Sequence, residues 1–492
     1  TRFYIAVMIF IACLTSYMIR AQMSISILAM VNKQELNSTS TVALVNSTGT
    51  DAPDNSTQLN LTTFITSSNG ESGETQHDYG TRYDWTKGEQ SLILGSFFYG
   101  YMVTSLFAGM LAERYGGRVM VGYTIAACAI FIFLCPIVAE FGAAYIMAAR
   151  FILGMLMGLP YPAIQNVISK WVPPDEKGKF ISCIAGGSTF GTVVIWPIAG
   201  MIIESIGWIY SFYIPAIFVA IVAVFWLFIV ADAPSKHLRI KVEEKEYIEE
   251  KIGNVLSKTK SLPPIGKVLK SPPFWGLLLL HYGNLWGLNF FIIAAPKFMN
   301  EILGFKLSNA GFFSSLPYLA RMFAGFGFGI IGDIIRRKNC ISVTATRKFF
   351  CLFSHIIPGA FLAALPFIST DPYVCVGIIT IALGFNGAST ITNLLNAQDL
   401  APNYVGSIYG ILNFIGTTPG FLSPVLIKYF TEEQNTMEEW KYIFIVSAII
   451  YISSAFVFII FGSGNVQKWN NPKENKSQND GSHQELKQIQ NP

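Results

Sequence analysis

The chain has 492 residues, 52% of them hydrophobic and only 13% charged, with 34 Lys and Arg against 30 Asp and Glu. That balance excludes an ordinary soluble globular protein, and a net charge of +4 is too small to point to nucleic acid. The seven cysteines, Cys13, Cys128, Cys135, Cys183, Cys340, Cys351 and Cys375, have neither metal-site spacing nor a disulfide pattern, so they read as packing residues.

A helix that crosses the hydrocarbon core needs about 20 apolar residues. Twelve runs reach that length, six on each side of one polar loop. They are 3–31, 90–112, 119–139, 143–169, 180–203 and 207–231, then 273–296, 309–332, 348–368, 373–398, 405–430 and 440–462. Only helices of this length satisfy their own backbone in lipid, so the fold class is an all-α membrane protein of twelve transmembrane helices in two six-helix bundles. The first bundle takes 1–231, a loop 232–272 joins the bundles, the second takes 273–462, and 463–492 form a disordered tail.

Basic residues concentrate in the connections Glu113 to Arg118, Lys170 to Lys179 and Asp333 to Lys348 and in the loop 232–272, which places them in the cytoplasm together with both termini. The loop 32–89 is rich in Ser, Thr and Asn and holds four glycosylation sequons, at Asn37, Asn46, Asn55 and Asn60, so it faces the exterior or a lumen. A further sequon at Asn475 falls in the cytoplasmic tail and is expected to stay unmodified. The run Glu243 to Lys251 reads as a solvated helix between the bundles. The chain begins at Thr1 rather than Met, and a preceding segment with a sorting signal is expected to be missing.

A repeat joins the halves. Gly109, Glu113, Arg114 and Arg118 follow the second span, and Gly329, Asp333, Arg336 and Arg337 follow the eighth, each set placing a glycine four residues before an acid and bases just after it. The glycine allows close helix approach, and the charges can bridge neighbouring helix ends. Gly187, Gly191, Pro197 and Gly200 in the fifth span loosely match Gly410, Gly416, Pro419 and Gly420 in the eleventh. The repeat points to two bundles that rock against each other.

Arg20 and Arg150 lie inside apolar runs, and no Asp or Glu occupies the middle of any such run. An arginine at bilayer depth costs at least roughly 2.5–3.5 kcal/mol on insertion scales, so the default reading is a substrate or ion site facing a cavity. Two guanidiniums at comparable depth can grip a carboxylate or phosphate; the bland alternative ties each to backbone carbonyls or to the interface. Arg321, near the centre of the eighth span, is a candidate anion ligand from the second bundle or, equally, a structural arginine at a helix break. His281 and His355 are the titratable candidates for a coupling proton, although a lone histidine is more often a packed core residue. Asn284, Asn289, Asn393 and Asn396 offer amide oxygens for Na⁺ or substrate, against interhelical bonding as the simpler reading. Tyr99, Tyr101, Tyr161 and Trp286 are aromatic candidates for the cavity wall.

With its paired loop motif the chain resembles the major facilitator superfamily and, more narrowly, the anion transporters of solute carrier family seventeen. The narrower resemblance runs over nearly the whole chain, through Gly95-Ser-Phe-Phe-Tyr-Gly100-Tyr101, Trp171-Val-Pro173-Pro174, Pro234-Ser-Lys236-His237, Glu244-Lys-Glu-Tyr247-Ile248, Ser315-Leu-Pro317-Tyr318-Leu, Asp399-Leu-Ala-Pro402, Glu439-Trp440 and Val466-Gln467-Lys-Trp469. The long first luminal loop is similar to that of insect phosphate-cotransporter-like members. The resemblance implies that Arg20 and Arg150 are the family's anion-coordinating arginines. The chain departs from the pattern where Met157 replaces the proton-coupling glutamate, Gln165 the histidine, and Asn284 the arginine of glutamate transporters.

The reading that follows is a secondary active transporter of inorganic phosphate or a small organic anion, working by alternating access. Na⁺-linked symport is placed ahead of H⁺-linked symport, and no other cofactor or metal is expected. A proton-coupled transporter of acidic sugars or acidic amino acids, an uncoupled anion channel and a substrate-sensing receptor remain as alternatives. The site set is Arg20, Arg150, Tyr101, Tyr161, Asn284 and Arg321 for substrate, with His281 and Asn393 for coupling. The expected partners are the small anion and the lipid bilayer, with no nucleic acid. A monomer in the plasma membrane is favoured over a lysosomal or vesicular protein. No nucleophile–base set or phosphate loop suggests an enzyme.

Overall fold

The computed structural model describes residues 1–32, 79–173, 177–237, 239–253, 264–338, 341–368, 371–401 and 404–470. The sequons at Asn37, Asn46, Asn55, Asn60 and Asn475 lie outside the described residues. The side chains of Glu113, Asp333, Arg336 and Arg337 are also outside them, and with these the charge bridges expected of the repeat.

Twelve helical spans form. The first six are Arg2–Met30, Lys87–Tyr115, Gly117–Ala139, Ala143–Met157 continued by Pro160–Trp171, Lys177–Ile206 and Tyr210–Ile229. The seventh and eighth are Pro272–Lys297 and Leu307–Lys338. The ninth joins Val343–Cys351 to Ile357–Ile368, and the tenth joins Pro372–Asn386 to Leu395–Leu400. The eleventh joins Val405–Gly416 to Pro419–Thr431, and the twelfth is Met437–Phe461. Eleven of these stretches are long and apolar enough to cross a membrane; the eighth is longer still but carries more charge, including Arg321 at mid-length.

Local chemistry sets the starts and breaks. Capping boxes open the second span, where Thr86 pairs with Glu89, and the twelfth, where Thr436 pairs with Glu439; each supplies acceptors for backbone N–H groups that a helix start leaves free. Asp371 caps the tenth by accepting from the Tyr373 and Val374 N–H groups at 2.9 and 3.0 Å. Continuous helices were expected for the fourth, ninth, tenth and eleventh spans, and all four are interrupted. Pro160 and Pro419 cannot donate to the preceding turn, so the fourth and eleventh spans break just before them. Wide π turns at Leu352–Ile356 and Thr390–Leu394 interrupt the ninth and tenth.

Packing repeats between the halves. The first span lies on the fifth, the second on the fourth and the third on the sixth, matched by seventh on eleventh, eighth on tenth and ninth on twelfth. Between the halves, the fifth span meets the eighth, the second meets the eleventh and the first meets the seventh. These cross-contacts gather at the end that carries the loop 32–89. There Glu204 accepts the Ser308 N–H at 2.8 Å, Tyr99 stacks on Phe421 at 4.4 Å, and Lys87 donates to the carbonyls of Thr431 and Glu432. Toward the opposite end, a Cβ added at Gly327, Gly329 or Gly410 would meet none of the described residues within 4 Å. Gly329 therefore makes no close approach to the described residues in this conformation.

Candidate functional site

Arg20 projects from the first span one turn beyond Tyr17, and its guanidinium sits among four rings. The centroids of Tyr17 and Tyr101 lie at 4.8 Å, Phe98 at 5.5 Å and Phe97 at 5.7 Å. Arg150 on the fourth span reaches the same Phe97 ring at 5.0 Å and is almost fully buried, at 3% exposure. Phe97 is thus shared by the two cations, and the quadrupole of its ring partly compensates their charge without neutralising it. The ion pairs of the described residues involve neither arginine. Arg150 donates one long bond, 3.5 Å, to the Ile19 carbonyl, and its buried Nε has no hydrogen-bond partner among the described residues. A buried, unused N–H on a charged group is costly.

Glycines bring the two helices close enough for this. A Cβ at Gly154 would overlap the carbonyl of Phe97, and one at Gly100 would overlap that of Phe151. The second and fourth spans therefore touch backbone to backbone, and Phe97 is carried directly against the arginine helix.

Arg321 belongs to a different cluster. Its Nε donates to Asn386 Oδ1 at 2.8 Å and its guanidinium also donates to Ser389 Oγ at 3.2 Å. Asn386 in turn donates to Asn284 Oδ1 at 3.2 Å and to the Ser354 carbonyl at 2.8 Å. All these partners are neutral, so the positive charge persists. One turn before Arg321, Tyr318 packs edge-on against Trp196 at 5.4 Å, and the Trp196 indole donates to the Ala21 carbonyl at 3.1 Å. That chain links the residue after Arg20 to the helix of Arg321 across the seam.

The remaining candidates are distributed unevenly. His281 is bonded on both nitrogens to amides, Asn413 Oδ1 and Asn393 Nδ2, each at 3.4 Å, while Asn393 Oδ1 is buried without a partner among the described residues. His355 bonds Ser354 Oγ at 2.7 Å and the Leu280 carbonyl at 2.9 Å. Trp286 donates to Ser447 at 3.2 Å, which ties the seventh span to the twelfth. Tyr161, one turn beyond Met157 in the same apolar run as Arg150, falls past the break at Gly158 on the separate segment Pro160–Trp171, half-buried. Met157 is buried, and Gln165 is half-buried. Arg118 of the repeat closes onto the sixth span's end: its N–H donates to Asp232 at 2.8 Å and its side chain to the Leu227 carbonyl at 3.0 Å. Phe97, Phe98, Asn386, Ser389 and Asn413 escaped sequence reasoning as site residues. Asn386 carried the same signal as the amides that were picked, an uncharged polar residue inside an apolar run.

Helices in two halves around buried, uncompensated cations define a membrane transporter. The family model "Major Facilitator Superfamily" matches residues 5–424, and the chain belongs to that superfamily. It is 32% identical over 472 residues to sialin of Homo sapiens, covering 95% of this chain and 90% of that protein. It is 30% identical over 484 residues to the "Putative inorganic phosphate cotransporter" of Drosophila melanogaster, covering 97% and 87%. Within the superfamily the chain is a member of solute carrier family seventeen. Among solved structures, that of a D-xylose–proton symporter superposes with a TM-score of 0.60 at 15% identity, covering 94% of this chain and 99% of the other, which shows the shared fold.

Proposed function

We propose that the protein is a secondary active transporter of a small anion, inorganic phosphate or an organic carboxylate, with Arg20 and Arg150 as the ligands that grip it. The observation that carries this reading is the pair of guanidiniums on one aromatic ring, with the Arg150 Nε unused and no carboxylate paired to either among the described residues. An anion entering there would accept from that N–H and discharge both cations. Tyr101, stacked near Phe97 at 6.5 Å and beside Arg20, would flank it. Arg321, held forward by Asn386 and Ser389, would complete the site from the second half when the bundles close. Asn284 acts through Asn386, and Tyr161 lines the path beyond the break in the fourth span.

The bundles 1–231 and 273–462 alternate about this site. The end closed by Lys87, Tyr99 and Glu204 is the exterior or luminal one, bearing the glycosylated loop, and the basic connections, both termini and the loop 232–272 are cytoplasmic. In that orientation the described contacts close the exterior end, as expected of an inward-facing conformer. Coupling runs through a cation, with Na⁺ ahead of H⁺, because Met157 stands where a proton-carrying glutamate would and His281 is held on both nitrogens by neutral amides. The unpartnered oxygen of Asn393 is the natural cation contact. We place the protein, as a monomer, in the plasma membrane. A second reading, transport of an acidic sugar driven by protons, stands beside this one.

Uptake of labelled phosphate, glutamate and sialic acid into proteoliposomes under imposed Na⁺, H⁺ or voltage gradients tests both readings. Accumulation of phosphate driven by Na⁺ is expected. Equilibration without accumulation would identify a channel, and binding without flux a receptor.

A further inference from the structure

At the closed end of the seam, away from Arg20 and Arg150, a small recess opens between the first, second, seventh and eleventh spans. Two of these spans come from each half. Its wall holds three lysines, Lys87, Lys297 and Lys428, and no carboxylate. Two acids, Glu301 and Glu432, stand beside the lysines without lining the recess. Glu301 and Glu432 pair loosely with Lys297 and Lys428 at 3.8 and 3.5 Å along their own helices, beyond good hydrogen-bond length. Lys87 spends its bonds across the seam, donating to the carbonyls of Thr431 and Glu432 at the end of the eleventh span. An ammonium has three donors, so none of the three lysines is saturated by these contacts. A fourth group in the wall is Ser91, 7% exposed, whose buried hydroxyl has no hydrogen-bond partner among the described residues. Ile293 and Ile427 supply the apolar remainder.

Three ammoniums against two loosely paired carboxylates leave the recess with an excess of positive charge, and an anion among them would offset it while using the idle Ser91 hydroxyl. We propose that this recess is a second anion site, which takes a phosphate-class anion, free or carried on a lipid headgroup, from the side that faces the loop 32–89. Because the four spans meet around it only while the seam is shut, an anion held there favours the closed end and slows its reopening. The site does not depend on the central arginines.

Four full-length proteins separate it from the central site: the parent chain, R20Q, K297Q/K428Q and the combined variant. Each is titrated with inorganic phosphate in phospholipid-free detergent, at constant ionic strength set with chloride, and read by the thermal unfolding midpoint. The R20Q protein is expected to keep a phosphate-dependent stabilisation, and adding K297Q/K428Q is expected to weaken the apparent affinity at least about tenfold. K297R/K428R should retain it, and S91A, which leaves every charge in place, should weaken it about threefold. A headgroup occupant would show instead as stabilisation by anionic over neutral vesicles, lost in K297Q/K428Q. Equal responses with and without the lysines, in detergent and in both kinds of vesicle, would overturn the proposal. If R20Q changes nothing while K297Q/K428Q removes all phosphate response, the central-site reading fails and this one stands.

Discussion

Arg150 is the more informative of the two central arginines, because its environment leaves work undone. A guanidinium offers five donors in a fixed fork, and here one long carbonyl bond and one ring face are all that the described residues give it. Replacing it by lysine keeps the charge but loses the fork. R150K and R20A are each expected to raise the half-saturating phosphate concentration in uptake by about 10- to 100-fold, the worth of one hydrogen bond to a charged group. Unfolding midpoints should fall little for R20A, whose cation is held by rings rather than by bonds to backbone. Wild-type affinity in both variants would remove the arginines from the site. At this scale the sequence was legible for one physical reason: a charge inside an apolar run is rare and costly, so Arg20, Arg150 and Arg321 announced themselves. Phe97 did not, since one phenylalanine among 39 carries no mark of what rests on its face.

Between helices, a buried ion pair locks the ninth span to the tenth. Arg347 donates to Asp399 at 2.8 and 3.3 Å and to the Ile391 carbonyl at 2.8 Å, and its side chain is only 5% exposed. Removing one partner strands the other charge in a low-dielectric site. D399L and R347M are therefore each expected to cost about 3–5 kcal/mol, whereas R347M/D399L should be markedly milder than the sum of the two. Additive losses in thermal or chemical unfolding would show that the pair is not coupled. The close contact of the second and fourth spans gives another test. G154A pushes Phe97 away from Arg150, and overpacking of this kind costs about 1–3 kcal/mol. It should depress both the unfolding midpoint and phosphate affinity, while A149G, on the same helix, should spare affinity. The spans themselves were readable from hydropathy to within a few residues, since length in lipid is a hard constraint. The breaks in the fourth and eleventh spans were marked by Pro160 and Pro419, but the π turns were not marked at all, because they depend on which neighbour receives the freed backbone groups.

Across the whole molecule, the glycines record which end is shut. A Cβ at Gly420 would overlap the ring of Phe98, and one at Gly311 would overlap the Trp196 carbonyl, so both positions are usable only while bare. Phe98 also lies under Arg20, which ties closure of the seam to the cation expected to hold substrate. The repeat glycine Gly329, at the other end, has none of the described residues within 4 Å of where a Cβ would stand. If the halves rock, the two positions must respond in opposite directions. G420A penalises this conformer by about 1–3 kcal/mol and shifts the population toward one open at the loop 32–89 side. G329A is silent here and acts only where the opposite end closes, so it shifts the population the other way or leaves it unchanged. A membrane-impermeant thiol reagent applied from the 32–89 side should label Leu94→Cys, which faces the seam, at least about fivefold faster in G420A than in its parent, and no faster in G329A. Equal acceleration in both would mean that the glycines report only packing. Sequence could pair Gly329 with Gly109 through the repeat, but a sequence holds every conformation at once, and only the geometry shows which of its small residues are in use.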